Sequence, residues 1–183
     1  MRWHHKIFLM ISLSALTPTP LFASSDNEAT SNKKTAAEIM HCHDGDTCRV
    51  VTESGLWFNA RLAGIDAPEV GRYGKSKSEG QPMGAQSRDT LADLVVKKKN
   101  ISVRQVDLDP YNRPVIEVYA GDDCINLKML ELGFAERYRG KTKRIDKSKY
   151  DLAEEKAKAG KAGIWGIKGY VSPQQWRKEG KHD

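Results

Sequence analysis

After residue 23 the sequence holds no apolar run reaching the roughly 20 residues that a bilayer-spanning helix needs, which argues against a membrane-embedded body. It holds no internal repeat either, which sets aside a repeat array. Cysteine is scarce: Cys42, Cys48 and Cys124 are the only three. The one sustained apolar run lies at the start, in "MRWHHKIFLMISLSALTPTPLFASS". Arg2 and Lys6 give it a positive beginning, Ile7 to Leu16 form its apolar core, and a proline-bearing stretch leads to Leu21-Phe22-Ala23. A core of about 10 residues is too short to serve as an anchor. The build is that of a secretory signal peptide, residues 1–23, cut after Ala23. Export is therefore expected, to a periplasm or out of the cell, leaving a soluble chain of roughly 160 residues, enough for one domain with its own core. Losing Arg2 and Lys6 with the leader lowers the net charge from +6 to +4. Such a modest excess suits a polyanionic partner without selecting one.

Residues 24–37, in "SSDNEATSNKKTAAE", are polar and poor in large apolar side chains, and read as a flexible lead-in. Residues 39–42 and 47–51 read as strands joined by a turn at Asp44-Gly45-Asp46. A third strand, 56–65, runs to Asp66-Ala67-Pro68, where the proline forces an extended exit. "EVGRYGKSKSEGQPMG" is glycine-rich, basic and without periodicity, hence an exposed loop. From Gly84 to Lys99 the pattern is helical: Leu91, Leu94 and Val95 share a face, and Lys97-Lys98-Lys99 suits the C-terminal end of the dipole. Residues 101–108 and 114–120 are two further strands, joined by "DPYNR". Helices are expected over 125–132, closed by Gly133, and over 147–161, closed near Gly163. Residues 167–183 are a polar tail expected to fray, with Trp176 the one residue suited to docking. Five short strands with helices outside predict a small antiparallel barrel of the OB type.

Asp44, Asp46 and Asp66 fall at the ends of neighbouring expected strands, and Glu69 follows closely. Carboxylates converging on one rim repel one another unless a cation lies among them, and an all-oxygen set suits Ca²⁺ or Mg²⁺. The plainer reading is that Asp and Gly are simply good turn formers. Arg61 and Arg113 fall at the end of the third strand and the start of the fifth. Guanidinium forks match phosphate oxygens, so two arginines facing a metal site suit a phosphodiester; the plainer reading is a pair of surface salt bridges.

Taken in order, "DGDT" (44–47), "RLAGIDAPE" (61–69), "YNR" (111–113), "GFAERY" (133–138) and "AKAGKAGIW" (157–165) resemble the staphylococcal-type thermonucleases. The resemblance covers about residues 38–166. It implies an α+β fold, a five-stranded OB barrel with three flanking helices, acting as a monomeric endonuclease on DNA and/or RNA. Asp46 and Asp66 would be direct ligands of one Ca²⁺, with Asp44 close by and the Ala67 carbonyl as a backbone ligand. Glu69 would orient or deprotonate the attacking water. Arg61 and Arg113 would hold the scissile phosphate, with Tyr111 lying along it. Lys75 and Lys77, in the basic loop, would add substrate affinity. The chain departs from the pattern at Pro110, where a basic residue is common, and at Tyr138-Arg139, either of which could stack on a base. Its cysteine pair is a third departure. A catalytically silent nucleic-acid-binding module on the same barrel is the alternative, although none of the acidic or arginine positions is lost.

Cys42 and Cys48 each lie three residues from Gly45, so a hairpin centred there sets them opposite each other. Opposed Cα atoms lie about 4.5–5.5 Å apart, within the range a disulfide accepts, and an exported chain meets an oxidising environment. The alternatives are that both stay reduced in the core, as Cys124 is expected to, or that His41, Cys42, His43 and Cys48 bind zinc. Alternation along a strand makes that zinc set cramped.

Overall fold

β1 (Thr35–Cys42) and β2 (Thr47–Thr52) fold back on each other across the acidic turn, with Cys42 directly opposite Cys48. The two cysteines are bonded to each other, with a Cα–Cα distance of 3.9 Å, closer than an ordinary opposed pair. That bond removes both sulfurs from the zinc reading. The computed structural model describes residues 33–71 and 79–179. The leader, most of the lead-in, and the loop lysines Lys75 and Lys77 therefore lie outside the described residues. The strand pattern begins at Thr35, three residues before the expected domain start.

β3 (Trp57–Leu62) pairs with β2, and the chain then breaks before a two-residue strand, β4 (Ile65–Asp66). The expected continuous strand over 56–65 is thus corrected. Gly64 has φ +72, and a Cβ there would lie 2.5 Å from the Tyr150 ring, so the chain kinks where another element presses on it. α1 (Gly84–Val95) buries Leu91 and Val95 and leaves Leu94 half-buried against the core. It ends earlier than expected, because Val96 turns extended and bridges to Ile39. The three lysines 97–99 therefore lie beyond the helix rather than in its last turn.

β5 (Ile101–Leu108) and β6 (Pro114–Ala120) form the longest antiparallel pair. The sheet order is β3-β2-β1-β5-β6, and β3 also pairs with β6, which closes five strands into a barrel. The closing pair is parallel, Arg61 with Val115 and Leu62 with Ile116, so the barrel is not wholly antiparallel as expected. Register shifts in β1 between Ile39 and His41 and in β5 between Gln105 and Asp107 bend the strands as closure requires. β7 (Asp123–Cys124) adds a short edge to β6, and Cys124 is free and half-buried at the start of α2 (Ile125–Glu131). β8 (Glu136–Arg137) pairs with β4, and α3 (Lys147–Ala159) packs on α2. Ile39, Val50, Leu62, Ile65, Leu91, Ile116, Met129, Leu130 and Tyr150 fill the interior. Buried Glu117 accepts hydrogen bonds from Arg104 Nη2 at 2.7 Å and Tyr150 Oη at 3.0 Å, fixing α3 to the barrel wall.

The three expected helices are therefore present, and a fourth, α4 (Pro173–Lys178), lies in the stretch expected to fray. Ser172 caps it by accepting the Gln175 N–H at 3.1 Å, Pro173 begins it, and Trp176 is buried beneath it. Among the described residues no helix is long and apolar enough to cross a membrane.

Candidate active site on the barrel rim

The acidic turn is built from local bonds first. Asp44 Oδ1 accepts the Asp46 N–H at 2.9 Å, the side-chain-to-backbone bond of an Asx turn. The turn-former reading of "DGD" is thus realised without excluding the other. The Asp46 carbonyl accepts the Leu62 N–H at 2.7 Å, which seats the turn against β3. Asp46 and Asp66 are both buried, 4% and 6% exposed, which for a carboxylate demands partners. Asp46 accepts from the Thr47 hydroxyl at 2.9 Å, the Ala67 N–H at 3.2 Å and Arg61 Nη2 at 2.8 Å. The same Arg61 nitrogen stands 3.5 Å from Asp66.

Arg61 owes its place to the β3–β6 pairing, which sets it beside Val115 and so near Arg113. In the 109–113 loop, Asp109 Oδ1 accepts the N–H groups of Tyr111 and Arg113 at 2.8 and 2.9 Å. Its other oxygen accepts from Arg113 Nε at 2.7 Å. Asp109 therefore shapes the loop that carries both residues, a role the sequence reading missed. An open groove of about 660 Å³ runs past these groups, lined by Arg61, Tyr111, Arg113, Tyr138, Lys141 and Arg177 among others. Tyr111 is 82% exposed and free to meet a ligand face.

Tyr138 lines this groove, whereas Arg139 turns onto α3 and donates to Glu154 and, at 3.4 Å, to Asp151. Arg139 thus ties this segment to α3. Lys141 and Lys143, in "RGKTKR", were also missed; their clustered charge was the available signal.

Glu69 stands on the segment leaving Pro68. Its N–H donates to Gln81 Oε1 at 3.2 Å, and its carbonyl accepts the Gln81 N–H at 2.9 Å. Its carboxylate accepts from Arg177 Nη1 at 2.6 Å. Arg177 also forks onto Asp66, Nη1 to Oδ1 at 3.1 Å and Nη2 to Oδ2 at 2.8 Å. Against the cost of burial, these bonds hold the Arg177 guanidinium above its ordinary pKa. The sequence reading missed Arg177 because it placed residues 167–183 outside the folded domain.

Asp44, Asp46, Asp66 and Glu69 lie along one rim, with Arg61 and Arg177 seated among them. Among the described residues, no three acidic, histidine or cysteine side chains stand together as a metal-holding group. Arg61 pairs with Asp46 and Arg177 with Asp66 and Glu69. The donor chemistry nonetheless fits an oxygen-seeking cation. Burial, then the Asp46 charge, pushes Asp44 up to about 8, the direction expected of a carboxyl that shares a poorly solvated place with other carboxylates.

A closed small barrel with buried carboxylates and arginines on one rim, beside a basic groove, has the build of a hydrolase of phosphodiesters. The chain matches the family described as staphylococcal nuclease homologue over residues 59–166, and it belongs to that family. It is 31% identical to a Haemophilus influenzae protein described as an uncharacterized endonuclease, over 94% of this chain and 89% of that one. It is 35% identical to a probable endonuclease of Leptosphaeria maculans, over 60% of this chain and 38% of that protein. A probable staphylococcal-like nuclease of Oryza sativa subsp. japonica is 27% identical, over 86% of this chain and 37% of its own length. The chain thus spans most of the bacterial relative and well under half of the other two.

Proposed function

We propose that this nuclease is exported, depends on calcium, and hydrolyses phosphodiester bonds of DNA and/or RNA by attack of water. The observation that carries the reading is Arg61 Nη2, 2.8 Å from buried Asp46 and 3.5 Å from buried Asp66, at the end of a groove shared with Arg113 and Tyr111. Asp46 and Asp66, with Asp44 and the Ala67 carbonyl, would hold the cation. When bound, Ca²⁺ supplies fixed positive charge beside the scissile phosphate and beside the attacking water. Arg61 and Arg113 donate to the non-bridging oxygens, whose charge grows as water attacks, so they stabilise the transition state more than the ground state. Glu69 orients that water or accepts its proton as the water oxygen bonds to phosphorus. The bond from phosphorus to the leaving ester oxygen breaks, that oxygen taking its proton from solvent. Tyr111 and Tyr138 flank the nucleotide along the groove. The leader and the oxidised cysteine pair support export.

The test uses the mature chain with labelled DNA and RNA. Cleavage should vanish with a calcium chelator and return at millimolar Ca²⁺; undiminished cleavage in chelator ends the calcium reading. Glu69→Gln, Arg61→Ala and Arg113→Ala should each lower turnover about 100-fold or more while the fold persists. Full turnover in Arg113→Ala would remove the phosphate role.

A further inference from the structure

Arg177 lies beyond residues 59–166, the stretch shared with the family, yet its guanidinium rests on two carboxylates of the candidate site. Both Asp66 oxygens accept from it, and Glu69 Oε1 accepts at 2.6 Å. These are the oxygens that a cation and an attacking water need. A guanidinium forked onto them and a divalent ion among them repel each other at close range in a poorly solvated place. The two cannot occupy the same carboxylate faces together.

The segment that carries Arg177 is docked by more than this one ion pair. Gln81 Nε2 donates to the Val171 carbonyl at 2.6 Å, while the rest of Gln81 grips the Glu69 backbone from both sides. One buried side chain thus ties the C-terminal segment to the loop of the acidic site. Trp176, 8% exposed, and Pro173 supply the apolar footing. Arg177 is held at this rim by its own helix and does not merely brush against it.

We infer that Arg177 is a built-in counter-ion of this site: it closes on Asp66 and Glu69 and leaves them when calcium enters, making α4 an autoinhibitory arm coupled to metal binding. This rests on the reading of Asp66 as a calcium ligand and Glu69 as the water's partner. Linkage then runs both ways. The closed arm lowers the apparent calcium affinity by the fraction of molecules whose arm is open, and calcium opens the arm by the same factor.

The test is calorimetric titration of the full mature chain with Ca²⁺, alongside amide hydrogen exchange over residues 171–179. Arg177→Gln should bind calcium about tenfold tighter or more, the factor expected if the arm is closed about nine-tenths of the time. Arg177→Lys, which keeps the charge but loses the fork, should fall between Gln and wild type. In the wild type, calcium should speed exchange over 171–179 and leave the barrel strands unchanged. That measurement needs no variant and stands even if Arg177→Gln folds poorly. Equal or weaker calcium binding by a folded Arg177→Gln, or exchange that calcium does not alter, overturns the arm while leaving calcium dependence intact. If the folded wild type binds no calcium, both readings fall, and Asp66→Asn, expected to lose binding in either background, identifies which oxygens bind when calcium does.

Discussion

Gly45→Ala probes why the acidic turn sits where it does. A Cβ at residue 45 would fall 1.8 Å from Ser87 Oγ, 2.9 Å from Ser87 Cβ and 2.7 Å from Ala67 Cβ. None of these neighbours can swing aside. The Ser87 hydroxyl donates to the Phe134 carbonyl at 2.6 Å, and Ser87 and Ala67 are both buried. The turn itself must lift off α1, and Asp44 and Asp46 lift with it. Overpacking of this kind costs about 1–3 kcal/mol, and with two immovable neighbours the upper end applies. A loss of about 3 kcal/mol lowers Tm by roughly 6–12 °C in a chain of this size. A shift of about 1 Å at reacting groups costs on the order of 100-fold in turnover, so cleavage should fall further than stability suggests. Thermal unfolding by circular dichroism and cleavage of labelled DNA read the two effects separately. Ser87→Gly in the same chain removes two of the three clashes and should recover part of the turnover, though not the Tm, since Phe134 loses its donor. An unchanged Tm with full turnover in Gly45→Ala would refute the packing argument.

Asn126→Leu should cost about 3 kcal/mol in urea unfolding, because the buried amide accepts the Val118 N–H at 2.9 Å and donates to the Ala63 carbonyl at 2.9 Å; a loss below about 1 kcal/mol would contradict that. Without reductant, denatured chains should present one reactive thiol, and three after reduction. Burial raises the Cys124 thiol, so in the native chain at pH 8 it should react more slowly than in urea. Reducing the Cys42–Cys48 bond should weaken calcium binding before it melts the domain, because the bond braces the turn carrying Asp44 and Asp46; unaltered calcium affinity after reduction would refute the bracing.

What the sequence made legible was local. The β1–β2 hairpin, its acidic turn and the opposed cysteines follow from spacing about Gly45, and the buried face of α1 follows from Leu91, Leu94 and Val95. What stayed hidden was decided by distant partners. Nothing near Val96 announces that it will bridge to Ile39 and end the helix early. Nothing in "RLAGID" announces that Tyr150, far along the chain, presses on Gly64 and splits the strand. The family motifs placed Arg61 and Arg113 in one site, but the physical cause, a parallel β3–β6 pairing, has no periodic signature. The C-terminal segment was judged by its polarity, although Trp176 marked an apolar anchor and the next residue reaches Asp66.

The rim is a place where stability and function pull against each other. Buried carboxylates without partners are costly, and the fold answers with Arg61 on Asp46 and Arg177 on Asp66 and Glu69. That answer is incomplete, since burial and the Asp46 charge still push Asp44 up to about 8. In the proposed reaction every one of these pairings must be exchanged. Asp46 and Asp66 would hold the cation, and Arg61 would then donate to phosphate oxygens that carry the negative charge the aspartates had offered it. Arg113, held by Asp109 rather than by the acidic cluster, needs no such exchange and already faces the groove. The two arginines are therefore not equivalent: Arg61 is tied to the metal site's charge balance, and Arg113 is preset by its own loop. Arg177 differs from both, because it stands on α4 and not on a barrel strand. Of the three, it is the one whose release would break no strand pairing, although Gln81 and Trp176 hold its segment.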